Sequence, residues 1–463
     1  MSDGQAPTAS GDLRSFLEQV AQSRPADLVT VAREVDPRYE TTAIVAKLED
    51  RRRSPILRFD SVKGCALPVV TNVCGSMGRI ALALGCSLRE VGARYEAAAQ
   101  VPHAPELVEQ APVHQHVARG DEVDLSMFPR LVYHADDTQQ PYLTAAIVVA
   151  RDPDDGVVNL SYHRMMIAGP RRTAIYMERG RHLDGIFRKY AARGEDMPIA
   201  VVNGVHPLVS LGALYAGPAD VDEYAIIGGL MGAPLSVVHT VTGTKLPVPA
   251  GAEFVLEGHV SVTETMLEGP FGEFTGYGTG TTQSPVFTVD ALTHRDEPLF
   301  QDIVSGRMEH LVLSMPALEH RTLRDARAAC AGVTRVSLPA PLTSVVALNK
   351  TSDDEPRRVI EALLSGDIYA KQVIVVDDDV DPSDLRAVLG AAALAAQPGR
   401  DVIIQTQVQG TPLDPSCPDD DGMTSKIGID ATRKLQTTRS VTHNRIPPEV
   451  YDAVDLAEFK PRR

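Results

Sequence analysis

The sequence predicts a multidomain fold of mixed α+β and α/β class: an N-terminal α/β segment, a central antiparallel β-barrel and a C-terminal α/β unit. Three observations predict it. A length of 463 residues exceeds what one simple core organises and suggests two or three domains. The middle of the chain carries β-rich stretches separated by turn formers. The last third alternates strand and helix patterns, as a sheet with crossover helices does.

In order, Leu13–Gln22 and Thr41–Leu48 read as amphipathic helices. Ser54–Phe59 and Ala66–Asn72 read as strands, parted by Lys63-Gly64, and Ser76–Gly85 with Leu88–Ala99 as a helical stretch. Pro density makes Val101–Gln115 a connector. Tyr142–Arg151 and Val157–Met166 then read as a hairpin across the turn formers Asp152 to Gly156. Ile199–Asn203, Ser236–Val241, Glu253–Glu264 and Val286–Thr293 complete the β-rich centre. Glu309–Ala331 has a helical pattern. Thr343–Leu348, Lys371–Val376 and Asp401–Gln407 alternate as strands with the helices Glu355–Leu364 and Pro382–Ala396. Gly422–Arg433 reads as a loop and Pro447–Phe459 as a terminal helix.

A formal net charge of −16 argues against nucleic acid or an anionic membrane as partner, since both need a basic surface. The five Cys are scattered without a Cys-x-x-Cys pair, the usage of reduced cytoplasmic thiols. Met1–Asp12 is polar and does not read as a signal peptide, and no apolar run approaches a membrane span. The expectation is a soluble cytoplasmic protein.

Two segments carry the chemistry. Asn159-Leu160-Ser161-Tyr162-His163-Arg164 lies in an apolar strand, where an Arg needs an anionic partner. Glu268-Gly269-Pro270-Phe271-Gly272-Glu273-Phe274-Thr275-Gly276-Tyr277 puts two acids on either side of a turn that Pro and Gly can bend sharply. An exposed acidic loop is the bland alternative, weakened by Phe271, Phe274 and Tyr277. Such a turn can fold both acids into one pocket, where Arg164 pairs with one and leaves the other for proton transfer. Asn159 and Arg164 are five apart, so a regular strand would point them to opposite faces.

Together with Val69-Val70-Thr71-Asn72-Val73-Cys74-Gly75-Ser76 and Arg79 to Gly85, these segments resemble the UbiD-type decarboxylases, which use prenylated flavin mononucleotide. The resemblance implies that residues 116–308 form a flavin-binding split β-barrel related to flavin reductases. They would follow an N-terminal segment at 1–115 and precede a linker helix at 309–330, a C-terminal oligomerisation domain at 331–445 and a tail helix at 446–463. It implies a catalytic set of Arg164, Glu268 and Glu273, with Glu268 holding Arg164 and Glu273 carrying the proton. Cofactor contacts fall on Asn159, Ser161, Tyr162, His163, Arg164, Arg181, His182, Tyr215, Glu223 and Lys371. Asn159, His182 and Glu223 would hold Mn²⁺ or Mg²⁺ against the flavin phosphate, their mixed O and N donors suiting such ions; K⁺ is also allowed. By itself His182 reads as a cap or surface residue, and Lys371 as a solvated strand opener.

The implied activity is reversible non-oxidative decarboxylation of an aromatic, heteroaromatic or α,β-unsaturated carboxylic acid. A flavin prenyltransferase would supply the cofactor, and the enzyme would be a homodimer or larger. An ordinary FMN-binding oxidoreductase and a non-catalytic flavin-binding subunit are the alternatives. Two decoys fall away. Asp377-Asp378-Asp379-Val380-Asp381 lacks the Gly and terminal Glu of a calcium loop and reads as a turn, with Asp381 capping a helix that Pro382 opens. Gly276 to Gly280 lacks the Lys and helix of a phosphate loop.

Overall fold

The computed structural model describes residues 11–418, 422–436 and 446–455. The N-terminal unit contains α1 (Leu13–Ser23), β1 (Leu28–Val31), α2 (Glu40–Glu49), β2 (Ile56–Phe59), β3 (Val69–Thr71), α3 (Met77–Leu84) and α4 (Val91–Gln100). Asp12 caps α1 by accepting from Ser15 N, and Ser76 caps α3 through Arg79 N, each satisfying an orphan donor of a first turn.

The central unit runs through β4 (Glu106–Leu107), β5 (His116–Arg119), β6 (Tyr142–Leu143), β7 (Ile147–Arg151), β8 (Val158–Tyr162), β9 (Met165–Gly169), β10 (Arg172–Ile175), α5 (His182–Arg193) and β11 (Met197–Asn203). It continues with α6 (Pro207–Gly212), α7 (Glu223–Met231), β12 (Ser236–His239), β13 (Pro247–Pro249), β14 (Phe254–Glu268), β15 (Phe271–Gly272), β16 (Gly278–Thr279), β17 (Thr282–His294) and β18 (Phe300–Asp302). The ladder order is β6-β9-β10-β17-β14-β11-β7-β8, with β5 added beside β17. β8 is therefore at one end of the ladder and β9 next to the other, yet only His163 and Arg164 separate them in the chain. A stretch that short spans about 11 Å at most. The sheet must roll until its ends approach, while β6 and β8 do not pair: a split barrel with its seam at His163-Arg164. Its interior holds the largest core, including Val148, Met165, Val201, Leu256, Phe287 and Val289.

Several sequence expectations change here. Val157–Met166 is two strands, because the chain crosses the seam within it. Ser236–Val241 leaves the barrel: β12 pairs with β13 and β4 in a separate small sheet. β14 runs on to Glu268, so that acid ends a strand instead of standing in a loop. β18 pairs in parallel with β3 and belongs to the N-terminal sheet, a long-range pairing with no local signal.

The expected helix over Glu309–Ala331 is broken into α8 (Met308–Val312) and α9 (Met315–Ala329), with Pro316 in the first turn of the second. Beyond it lie β19 (Val333–Ala340), β20 (Thr343–Leu348), α10 (Glu355–Gly366), β21 (Gln372–Asp377), α11 (Leu385–Ala395), α12 (Pro398–Asp401), β22 (Val402–Gln409), β23 (Met423–Asp430) and α13 (Pro448–Asp452). The sheet order is β19-β20-β21-β23-β22. The loop expected over Gly422–Arg433 is thus mostly a central strand. Its alternating Lys426, Gly428 and Asp430 are accommodated by tertiary contacts. Lys426 donates to the end of α10, and a Cβ at Gly428 would lie 2.0 Å from Ile360 Cγ2. Helix α11 starts later than expected: Asp384, not Asp381, is its cap, accepting from Arg386 N and Ala387 N, while Asp381 accepts from Ser383 N. Among the described residues of the expected terminal helix, Pro448–Asp452 form α13; residues 456–459, like the Met1–Ser10 part of the leader reading, lie outside the described residues.

Candidate active site

The seam places Arg164. His163 N donates to Ala146 O at 3.1 Å, prolonging the β7–β8 pairing, and Tyr176 N donates to Arg164 O at 3.2 Å, prolonging β9–β10. The two residues belong to opposite edges, and the strand parity that separated Asn159 from Arg164 ends between them. On the Asn159 side, Ser161 and His163 follow on the same face. Ser161 Oγ lies 3.2 Å from Asn159 Oδ1 and 2.9 Å from His163 Nε2.

Arg164 reaches both acids. Its Nε and Nη2 donate to Glu268 Oε1 and Oε2, each at 2.9 Å, in a bidentate pair, and its Nη1 donates to Glu273 Oε1. The sequence expectation of one paired and one separate acid is therefore corrected: the guanidinium has three donor positions facing this turn and engages both carboxylates. Glu268 is fully buried. Tyr142 Oη donates to Glu268 Oε1 at 2.8 Å and accepts from Gly269 N at 3.2 Å. The Arg164 guanidinium also lies 4.2 Å from the Tyr176 ring centroid and 5.3 Å from that of Phe271. Burial opposes the charge on Arg164, but Glu273 and Glu268 outweigh it and raise its pKa.

Gly269 makes the turn possible. Its φ is +88°, and a Cβ there would stand 2.6 Å from Gly280 O. Beyond it, Phe271-Gly272 pairs with Gly278-Thr279, and Glu273 N donates to Tyr277 O at 2.9 Å. This small hairpin returns Glu273 toward the seam. Phe274 meets His310 edge-on at 6.1 Å, and Gly306 N approaches His310 Nδ1 at 3.4 Å. Burial lowers the pKa of His310, with Glu273 and Arg164 among its charged neighbours. Tyr142, Tyr176 and His310 carry no local sequence signal; only folding brings them to Arg164.

A second cluster joins β8 to α7. Asn159 Nδ2 donates to Glu223 Oε1, and Leu160 N to Glu223 Oε2, each at 3.0 Å. Burial pushes the Glu223 carboxyl up to about 8, and no cationic side chain offsets it among the described residues. His163 Nδ1 must donate to the Tyr176 carbonyl at 2.9 Å. Burial holds its ring neutral, with a pKa of about 4, so its Nε2 accepts and takes the single Ser161 proton. Asn159 Oδ1 is left with ligating capacity. A buried carboxylate lacking positive charge and an available amide oxygen fit a cation site. His182 opens α5, which packs on β8, and burial lowers its pKa, favouring the neutral, ligating ring.

The other expected cofactor contacts scatter. Tyr162 turns to the opposite face and donates to Ser210 Oγ at 2.9 Å. Arg181 Nε donates to Glu178 at 3.2 Å. Tyr215 lines a cleft of about 320 Å³ with His320 and Arg324 of α9. Lys371 Nζ is held by Asp414 and Ser416 within the C-terminal unit.

Family models match almost end to end: the 3-octaprenyl-4-hydroxybenzoate carboxy-lyase N-terminal domain over residues 22–99, the Rift-related domain over 106–308 and the C-terminal domain over 313–431. The chain belongs to the UbiD family of carboxy-lyases. Among solved structures it is similar to the UbiD-class enzyme HmfF from Pelotomaculum thermopropionicum in complex with FMN, at 35% identity and TM-score 0.88, covering 97% of this chain and 100% of that one. An evolved dimeric form of HmfF in complex with prFMN matches at 34% identity and TM-score 0.85, covering 97% and 100%. The vanillic acid decarboxylase of Sedimentibacter hydroxybenzoicus in closed form matches at 29% identity and TM-score 0.87, covering 96% and 97%. Among the described residues no helix is long and apolar enough to cross a membrane.

Proposed function

We propose that this protein is a prenylated-FMN-dependent decarboxylase of an aromatic, heteroaromatic or α,β-unsaturated carboxylic acid. The observation that carries the reading is Arg164 at the barrel seam, clamped between Glu268 and Glu273. Similarity to a vanillic acid decarboxylase and to a prFMN-binding enzyme supports the substrate class and the cofactor.

Asn159, His182 and Glu223 would hold Mn²⁺ or Mg²⁺ beside the flavin phosphate. Arg181, which directly precedes His182, would be a further phosphate partner, and Lys371 would join it only on leaving Asp414 and Ser416. The ion would supply the positive charge that buried Glu223 lacks. Once bound, the prenylated flavin supplies an electron sink for the carbon that loses CO₂. Arg164 orients the substrate carboxylate. Glu268, bound at both oxygens, keeps Arg164 in place. As the bond to CO₂ breaks, its electron pair stays on the organic fragment, and Glu273 delivers the proton from Oε2, the oxygen that Arg164 does not engage. The same steps reversed give carboxylation at high CO₂. The buried ring of Phe271 stands beside the pair, its centroid 5.3 Å from the Arg164 guanidinium.

The test is to produce the chain with and without a flavin prenyltransferase, then assay a panel of acids for CO₂ release. Activity only with the modified cofactor supports the proposal. Full turnover with authenticated plain FMN, or a nicotinamide-dependent redox reaction, refutes it. A homodimer or larger assembly through the C-terminal unit is part of the same proposal. Leu385, Leu389 and Leu394 of α11 are exposed. A monomer in light scattering at micromolar concentration would count against it.

A further inference from the structure

Tyr369 lies between α10 and β21, in the C-terminal unit, but its side chain reaches the central unit. Its hydroxyl donates to Glu178 Oε2 at 2.6 Å, the oxygen that also accepts from Arg181 Nε. The Arg181 guanidinium lies 5.1 Å from the Tyr369 ring centroid. The same ring meets Phe274 edge-on, centroids 6.0 Å apart at 73°. Phe274 follows Glu273 directly, and Arg181 directly precedes His182. One phenol therefore touches the proton-carrying turn and the start of α5 at once.

The segment around Tyr369 is fixed from two neighbouring elements, α9 and β23. Tyr369 N donates to Asp367 Oδ1 at 2.9 Å, and Asp367 Oδ2 accepts from Arg321 of α9. Lys426 of β23, itself buried, donates to Leu364 O at 2.8 Å and Asp367 O at 2.7 Å. These bonds hold the backbone that presents the ring. Burial raises the pKa of Tyr369, so the hydroxyl keeps its proton and stays a donor.

Resting on the decarboxylase reading above, we propose that Tyr369 is a positioning residue contributed by the C-terminal unit. Its ring holds Phe274, and through it Glu273, against Arg164; its hydroxyl holds the Glu178–Arg181 pair at the start of α5. The two contacts are separable, because Tyr369→Phe deletes only the hydroxyl and Tyr369→Ala deletes both.

The experiment uses the full chain and three readouts: affinity for plain FMN by fluorescence quenching, hydrogen exchange of peptides covering 173–183 and 270–278, and kcat and KM per bound prenylated flavin. Tyr369→Phe is expected to weaken FMN about tenfold or more, the worth of one hydrogen bond to a charged group. It should speed exchange over 173–183 and leave kcat per flavin within about twofold. Tyr369→Ala should add faster exchange over 270–278 and lower kcat per flavin by at least about tenfold. Wild-type kcat and exchange in Tyr369→Ala would overturn the proposal. So would equal loss in both variants with exchange rising throughout the C-terminal sheet, since that marks a purely structural residue. If wild-type protein decarboxylates no acid, the functional reading fails by itself, while FMN affinity and exchange still decide whether Tyr369 orders the two segments.

Discussion

Glu268→Gln tests the clamp at its buried end. Glu268 Oε1 accepts from both Tyr142 Oη and Arg164 Nε, and Oε2 accepts from Arg164 Nη2. A Gln with its oxygen at the first position keeps two of these bonds. Its amide nitrogen then faces Nη2, donor against donor. Arg164 is left in a site where its side chain is only 8% exposed, with Glu273 as its one anionic partner. Breaking a buried ion pair by removing one partner costs about 3–5 kcal/mol, and the surviving Glu273 contact should reduce this to roughly 2–3 kcal/mol. For a unit the size of the barrel that corresponds to roughly 5–10 °C in Tm. Calorimetry of the cofactor-free protein reads the loss directly. Adding Arg164→Met should then cost less than the sum of the single changes, because it removes the stranded charge. Turnover should fall in the same variant, since Arg164 loses the partner that fixes it. A Tm within about 1 °C of wild type, or strict additivity in the double variant, would refute the clamp.

Three other outcomes are expected. Glu273→Gln should abolish turnover while FMN binding holds, read by single-turnover kinetics with flavin content measured; near wild-type turnover would remove Glu273 as proton donor. Glu223→Ala should lower bound Mn²⁺ or Mg²⁺ by elemental analysis and weaken flavin retention, as should dialysis of the wild type against a chelator; unchanged metal and cofactor would reject the ion site. Glu309, fully buried with Oε1 accepting from Cys74 N at 2.7 Å, has its carboxyl pushed up to about 8 by burial. A raised folded pKa favours folding below the ordinary carboxyl range, and that contribution is lost as pH rises through about 8. The advantage of Glu309→Gln over wild type should therefore grow between pH 5 and 8, toward an upper bound of roughly 5 kcal/mol. Denaturation midpoints at the two pH values check it, and a pH-independent difference contradicts it.

Much of the fold was legible because its signals are local. Helices α1, α2 and α10 and strands β20 and β21 follow from periodicity and caps within a few residues of the expected ends, whereas the single strand expected over Tyr142–Arg151 is split into β6, which pairs with β9, and β7, which pairs with β8. β23 was not legible. Its Gly428 and Lys426 look like loop residues until Ile360 and the end of α10 stand against them. β18 and the departure of β12 from the barrel were hidden for a related reason, since strand partners far apart in sequence leave no mark on either segment.

The sequence by itself determined the family and the chemical inventory: one Arg in an apolar strand, two acids around a Gly-Pro turn, and oxygen and nitrogen donors along the chain. Residue type and short spacing express these directly. Only the tertiary structure decided how they meet. The rolling of the sheet brings the end of β8 to the start of β9, breaks the strand parity at His163-Arg164 and lets one guanidinium bind both acids. The packing of the C-terminal unit brings Tyr369 onto Phe274 and Glu178. Rolling of a sheet and docking of a domain depend on contacts far apart in sequence, and local periodicity carries no record of them.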